Sequence, residues 1–226
     1  MQWSRPDIFN AVRNCARHMS KPNKVHQKAL RNLMSYVVAT KNRGLVSKPD
    51  RLWRYEDDFL FRIHGRSDSD YAGCRRTRKS TSGGLIMLGG HLVKSWATTQ
   101  AIIALSSGEA ELSGICRGAS IALGLQPIDH DLGIKLNIHL FSDATAAIGI
   151  CRRRGLGKIR HLHVSDLWIQ DRLKSRDFTL SKIAGCDNPA DILTKHVSKE
   201  LLAKHMATMG ITRETGRASS APSLVN

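Results

Sequence analysis

Residues 84–97 read GLIMLGGHLVKSWA, and this stretch decides the fold class. The pair Gly89-Gly90 suits a tight hairpin turn, so the pattern predicts two short strands, Gly84 to Leu88 and Leu92 to Ala97. An alternating stretch, 59–64, runs into Ser67–Asp70 and predicts a further strand before the hairpin. Three consecutive antiparallel strands therefore open the domain.

Helices and strands alternate after the hairpin. Ser106 and Glu109 have the spacing of a capping box, in which each side chain satisfies a free amide of the other residue, and they predict the start of a long helix. The later elements are predicted strands at 136–141 and 178–183, helices at 144–151 and 164–174, and a last helix starting at 187–189. This order predicts an α/β fold, with a mixed five-stranded sheet and helices on its faces.

The chain divides into three predicted parts. Residues 1–50 carry two predicted helices, 7–19 and 25–41, which are too little for an independent domain. Residues 51–210 form the predicted α/β domain. Residues 211–226 are dominated by Ser, Thr, Arg and Gly and predict a disordered tail.

Charge is the strongest compositional feature. The 226 residues include 35 Lys and Arg against 19 Asp and Glu, for a formal net charge of +16. Nucleic acid or an anionic surface is the default partner of so basic a chain, and without an apolar stretch long enough for a bilayer we expect no membrane partner. The residues expected to contact nucleic acid are Arg75, Arg76, Arg78, Lys79, Arg152, Arg153, Arg154, Lys158, Arg160 and Trp168.

Four acids fall at predicted strand ends or near helix starts: Asp68, Glu111, Asp143 and Asp191. Sites in α/β sheets are built at such places. Carboxylates that converge there need cations, and oxygen ligands favour Mg²⁺ or Mn²⁺. Spacing alone leaves open that Asp68 and Asp143 form turns and that Glu111 lies on a solvated helix face.

Several local motifs sharpen this choice. They are SDSDYAG at 67–73, RKSTSG at 78–83, Ser95-Trp96, ALSSGEAE at 104–111 and NPADILTK at 188–195. In this order they closely resemble the ribonuclease H (RNase H) domain of copia-type LTR retrotransposon Pol polyproteins. Residues 5–8, 19–22 and 40–45 are similar to the segment that joins reverse transcriptase to that domain. The resemblance covers about residues 4–210.

The resemblance implies an RNase H-like fold and hydrolysis of the RNA strand of RNA–DNA hybrids with two Mg²⁺ ions, or Mn²⁺ in their place. It implies that Asp68, Glu111, Asp143 and Asp191 are both the catalytic and the metal-binding residues, and that residues 1–50 are the C-terminal connection segment of a reverse transcriptase. The implied partners are an RNA–DNA hybrid and that upstream polymerase. The implied location is a cytoplasmic virus-like particle or the nucleus, and not the secretory route.

Two features depart from the family pattern. The usual Lys-His-Ile-Asp run is Arg160-His161-Leu162-His163 here, and Leu167 stands where a further His is common. Many RNases H carry a His just before the last acid, but none lies at 184–187 here, so we expect another group to assist product release.

Alternatives remain open at this stage. Asp70 shares a strand face with Asp68, so Asp70 is the alternative site residue if the register of this strand is shifted by two residues. Glu109 is the corresponding near neighbour of Glu111. A decayed element copy that binds nucleic acid without cutting it, or a purely structural connection domain, would also fit the basic composition.

Overall fold

A five-stranded mixed sheet forms the centre of the molecule, with strand order β4-β3-β2-β5-β6. The computed structural model describes residues 5–46, 60–74, 76–131, 135–155, 157 and 167–213. Strand β2 (Leu60–Asp70) is antiparallel to β3 (Thr81–Leu88) and parallel to β5 (Lys135–Ser142). Strand β4 (His91–Thr99) completes the hairpin, and β6 (Thr179–Lys182) pairs in parallel with β5. The predicted fold class is confirmed.

Eight α-helices lie within the described residues: α1 (Phe9–Ala16), α2 (Lys24–Ala39), α3 (Ser107–Leu123), α4 (Gln126–Asp131), α5 (Thr145–Arg152), α6 (Trp168–Lys174), α7 (Asp191–Thr194) and α8 (Lys199–Thr208). None of them combines the length and the apolar character that a bilayer crossing needs.

Each face of the sheet has its own hydrophobic core. On one face α3, α5 and α6 enclose a cluster that contains Ile86 and Trp96. On the other face α7 and α8 cover a cluster that contains Leu85 and Met87. Neighbouring residues of β3 therefore point to opposite cores, as the period of two in a strand requires. Gly84 is necessary here, because a Cβ at this position would overlap the Trp96 ring.

The parallel pairing of β2 with β5 sets the geometry of the site. Arg66 lies opposite Phe141, so the two strands end at the same edge of the sheet. Asp68 and Asp143 each lie two residues beyond this pair. They are therefore adjacent before any side chain is considered.

Three parts of the structure differ from the sequence-based expectation. A second, two-stranded sheet pairs β1 (Arg43–Leu45) with β7 (Ile211–Arg213), so the first three residues of the expected tail are a strand. Ile211 is buried there, which explains why these residues are ordered. The expected single terminal helix is two helices, α7 and α8, the second capped by Ser198. Helix α4 was not expected. Residues 214–226 lie outside the described part of the chain.

The N-terminal segment contacts the sheet through α1 but leaves α2 largely uncovered. Arg17, the residue that follows α1, donates hydrogen bonds to the hydroxyls of Thr81, which begins β3, and Thr99, which ends β4. Helix α2 has no buried residue, and its apolar side chains Leu30, Met34 and Val38 are exposed. Its stability in this chain therefore owes little to tertiary packing.

We expect the amides of α2 to exchange with deuterium faster than those of α3, a helix of similar length whose inner face is buried. Native-state hydrogen exchange of the complete chain measures this difference, with α3 as the internal control. Equal protection of the two helices would contradict it and would show that α2 unfolds only with the whole molecule.

Candidate active site

Three carboxylates converge at the edge where β2 and β5 end. Asp68 is buried, with 2% of its surface exposed, and Asp143 follows β5. Glu111 lies one turn into α3, and the backbone N–H of Ser69 donates to its Oε1 at 3.1 Å. One ligand oxygen from each of the three carboxylates lies within 4.8 Å of the others. This spacing allows all three to bind one cation.

The fourth predicted acid lies beside this group. Asp191 opens α7, and its side chain is 7% exposed. The ammonium of Lys195 lies 3.0 Å from Asp191 Oδ2 and 3.6 Å from Asp68 Oδ1, so it bridges the two carboxylates. The structure thus brings all four predicted site acids to one edge.

Burial and neighbouring charge raise the pKa values of Glu111, Asp143 and Asp191. Burial, reinforced by the charges of Asp68 and Asp143, raises the pKa of Glu111 to about 8. Burial and Asp68 raise the pKa of Asp191 to about 6, although Lys195 opposes this shift. The pKa of Asp143 is also raised, by burial first and by Asp68 second. Shifts of this kind are common at functional sites.

The side chains present fit a divalent metal. All four offer carboxylate oxygens, the ligands that Mg²⁺ and Mn²⁺ prefer. Glu111 Oε2 and Asp191 Oδ1 are buried oxygens without a hydrogen-bond partner. A buried acceptor without a partner carries a desolvation cost, which a bound ion would remove.

The two alternative acids are occupied elsewhere. Asp70 Oδ1 accepts a hydrogen bond from the backbone N–H of Thr81, and burial raises its pKa. Glu109 Oε2 accepts from the backbone N–H of Leu105 at 2.7 Å. In the expected capping box Glu109 would accept from Ser106, whose hydroxyl does accept from the Glu109 amide. Both contacts favour structural roles for Asp70 and Glu109 and favour Asp68 as the residue of β2 in the site.

The expected nucleic-acid contacts fall into two groups. Arg76, Arg78 and Lys79 lie in the loop between β2 and β3, next to the carboxylate edge. Arg152–Arg154 lie at the C-terminal end of α5 and line a cavity of about 1000 Å³ together with Lys174 and Arg176. Since α5 starts near the edge and has 8 residues, this second group lies roughly 12 Å away. Arg75, Lys158, Arg160, His161 and His163 lie outside the described residues.

Two tryptophans, Trp96 from the motif at 95–96 and Trp168 from the expected nucleic-acid contacts, have different surroundings. Trp96 is 5% exposed within the core, as its position in a strand suggests. Trp168 begins α6 and is only partly buried, packing its inner side against the same core. Its role as a base-stacking residue stays a prediction.

Sequence reasoning missed two polar contacts of the site. The hydroxyl of Thr194 donates a hydrogen bond to Asp68 Oδ2. The side-chain amide of Asn188, fully buried, donates to the carbonyl of Ser67 at 2.9 Å and so ties the start of α7 to β2. The spacing of four between Asp191 and Lys195 was visible in the sequence and is the usual spacing of an ion pair on a helix.

The raised pKa of Glu111 predicts that the ion-free chain loses stability as the pH rises. Glu111 binds its proton more tightly in the folded chain than in the unfolded one, so its contribution is complete below about pH 4.5 and lost through about pH 8. We expect the Glu111→Gln variant to lose less stability over this range than the wild type, by on the order of a few kcal/mol. Urea unfolding in EDTA at several pH values measures this, and parallel curves for the two proteins would contradict it.

Comparison with known proteins finds relatives in sequence. The chain is 26% identical over 216 residues, 94% of its length, to a retrovirus-related Pol polyprotein from transposon RE1 of Arabidopsis thaliana. It is 28% identical over 214 residues to the Pol polyprotein from transposon TNT 1-94 of Nicotiana tabacum, and 31% identical over 125 residues to secreted RxLR effector protein 161 of Plasmopara viticola, covering 82% of that protein. No protein-family model matches.

Solved structures with a similar fold include LC11-RNase H1 in complex with an RNA/DNA hybrid, at 14% identity and a TM-score of 0.42, covering 58% of this chain and 93% of that one. The foamy viral protease-reverse transcriptase in complex with dsDNA has a TM-score of 0.43 at 12% identity, covering 73% of this chain and 30% of that one.

In sequence the chain is similar, over more than nine-tenths of its length, to retrovirus-related Pol polyproteins of copia-like transposons, and this confirms the resemblance that the sequence motifs predicted. It spans 14–15% of the length of the Pol polyproteins quoted above.

Proposed function

We propose that the chain cuts the RNA strand of RNA–DNA hybrids by metal-dependent endonucleolytic hydrolysis, as part of a retrotransposon Pol polyprotein. The observation that carries this proposal is the meeting of Asp68, Glu111 and Asp143 within 4.8 Å, with Asp191 beside them. Kinship with Pol polyproteins supports the same conclusion.

Each acid has a distinct place in the proposed site. Asp68 lies between the two halves, close to Glu111 and Asp143 on one side and linked to Asp191 through Lys195 on the other. Thr194 and the Ser69 amide orient the Asp68 and Glu111 carboxylates. Two bound Mg²⁺ ions would supply an activated water and a counter-charge for the leaving oxygen.

The substrate follows from the charge distribution. The basic side chains of the 76–79 loop and of Arg152–Arg154 are suited to phosphate contacts, which position a duplex without reading its sequence. Contacts to 2′-hydroxyls distinguish an RNA-containing strand from DNA. In the polyprotein, the exposed apolar side of α2 would face the upstream reverse transcriptase domain. The activity would take place in a cytoplasmic virus-like particle or in the nucleus.

A labelled-substrate assay tests this function. Purified chain with Mg²⁺ is expected to shorten the RNA strand of a hybrid, to leave double-stranded DNA intact and to stop when EDTA is added. Binding of the hybrid without any cleavage, in Mg²⁺ or Mn²⁺, would refute the proposal and favour the alternative of a decayed element copy that acts only as a nucleic-acid-binding module.

A further inference from the structure

Lys195 has a position in the carboxylate site that no predicted role explains. Its ammonium lies 3.0 Å from Asp191 Oδ2 and 3.6 Å from Asp68 Oδ1, while its side chain stays 47% exposed. The two carboxylate side chains are only 7% and 3% exposed. A flexible cation thus reaches from solvent into a buried pair of anions.

The surrounding contacts limit what else can neutralise this pair. The hydroxyl of Thr194 already donates to Asp68 Oδ2, so Oδ1 is the oxygen that faces the ammonium. Asp191 Oδ1 is buried without a hydrogen-bond partner. Asp191 also lies outside the group of three acids whose oxygens approach within 4.8 Å of one another. The site therefore has two parts, a set of three acids and a pair bridged by Lys195.

We propose that Lys195 is a positioning residue that holds the place of the second divalent ion in the ion-free chain and competes with that ion for Asp68 and Asp191. The proposal rests on the function proposed above. Asp68, Glu111 and Asp143 form the first ion site in the geometry already present, whereas the second site becomes available when the ammonium withdraws.

Electrostatic repulsion explains why Lys195 would weaken binding of the second ion. An ammonium and a divalent ion between the same two carboxylates repel each other, so the affinity for the second ion includes the work of moving Lys195 away. Its four-carbon stem and exposed side chain permit this movement. Without an ion, the same ammonium relieves the repulsion between Asp68 and Asp191, so it stabilises the folded chain.

Calorimetric titration of the complete chain with Mn²⁺ alone, together with melting in EDTA, tests the proposal. For Lys195→Met we expect the second ion to bind about fivefold more tightly than in the wild type, because a partly exposed ion pair of this kind is worth about 1 kcal/mol. We expect the same variant to melt at a lower temperature in EDTA. Lys195→Arg keeps the charge and is expected to restore both properties towards wild type.

Lys199→Met is the matched control, since it removes one exposed positive charge four residues further along the chain. Equal second-ion affinity and equal ion-free melting for the Lys195→Met and Lys199→Met variants would overturn the proposal, as would a single bound ion in every variant. These readouts do not depend on cleavage, so a chain that binds two ions but fails to cut hybrid would refute the proposed function and leave the role of Lys195 standing.

Discussion

Replacing any one of the four site carboxylates by its amide is expected to lower Mg²⁺-dependent hybrid cleavage by on the order of 10²-fold or more, because each one supplies charge for holding two divalent ions. The variants are Asp68→Asn, Glu111→Gln, Asp143→Asn and Asp191→Asn. Glu111→Gln is expected to melt in EDTA at or above the wild-type temperature at pH 8, since it removes a carboxylate that burial makes costly to ionise.

Asp70→Asn and Glu109→Gln are the matched controls, with the same chemical change two residues away. Their carboxylates accept hydrogen bonds from the backbone at Thr81 and Leu105. An amide oxygen can still accept from these N–H groups, so we expect the two variants to keep substantial activity and to lose less than about 1 kcal/mol of stability. An inactive Asp70→Asn variant beside an active Asp68→Asn variant would show that the register on β2 is wrong by two residues.

Hybrid affinity is expected to fall steeply with salt. If the chain contacts about six phosphates, affinity drops by roughly 10³-fold between about 50 and 200 mM salt. Binding releases counterions from the nucleic acid, and this release is less favourable when the salt concentration in solution is high.

Reversal of Arg152, Arg153 and Arg154 to Glu should weaken binding to all sequences alike and reduce the dependence on salt. Fluorescence anisotropy with Ca²⁺ in place of Mg²⁺ measures this.

The control for the triple reversal is a second triple on α2. Lys24, Lys28 and Arg31 are exposed, so changing them to Glu alters the net charge equally on a different surface. Because Arg152 also donates a hydrogen bond to the carbonyl of Leu180, melting temperatures must accompany the binding data. Equal losses for the two triples would mean that only the overall charge matters and that Arg152–Arg154 do not form a contact site.

The sheet was predictable because its signals are local. The Gly89-Gly90 turn defines the β3–β4 hairpin, and a short apolar run on its N-terminal side marks β3 as a buried strand. The pairing of β1 with β7 was not predictable, because it joins three-residue strands from opposite ends of the chain. Segments this short show no hydrophobic periodicity in the sequence, and the burial of Ile211 stabilises their pairing.

The candidate site was also predictable from the sequence only in part. Strand ends and family motifs pointed to Asp68 and Asp143, and the parallel register of β2 with β5 places both at one edge. The choice of Asp68 over Asp70 required the structure, because the two residues share a strand face and only the hydrogen bonds of their carboxylates distinguish them. The bridge made by Lys195 to Asp68 also needed the structure, because the two residues are far apart in sequence.

Anomalous diffraction from crystals of the complete chain, grown with saturating Mn²⁺, tests the central claim most directly. We expect one Mn²⁺ peak bounded by Asp68, Glu111 and Asp143 and a second between Asp68 and Asp191, with the Lys195 side chain turned away. Absence of any peak at this edge, or a peak at Asp70 with none at Asp68, would contradict the proposed site.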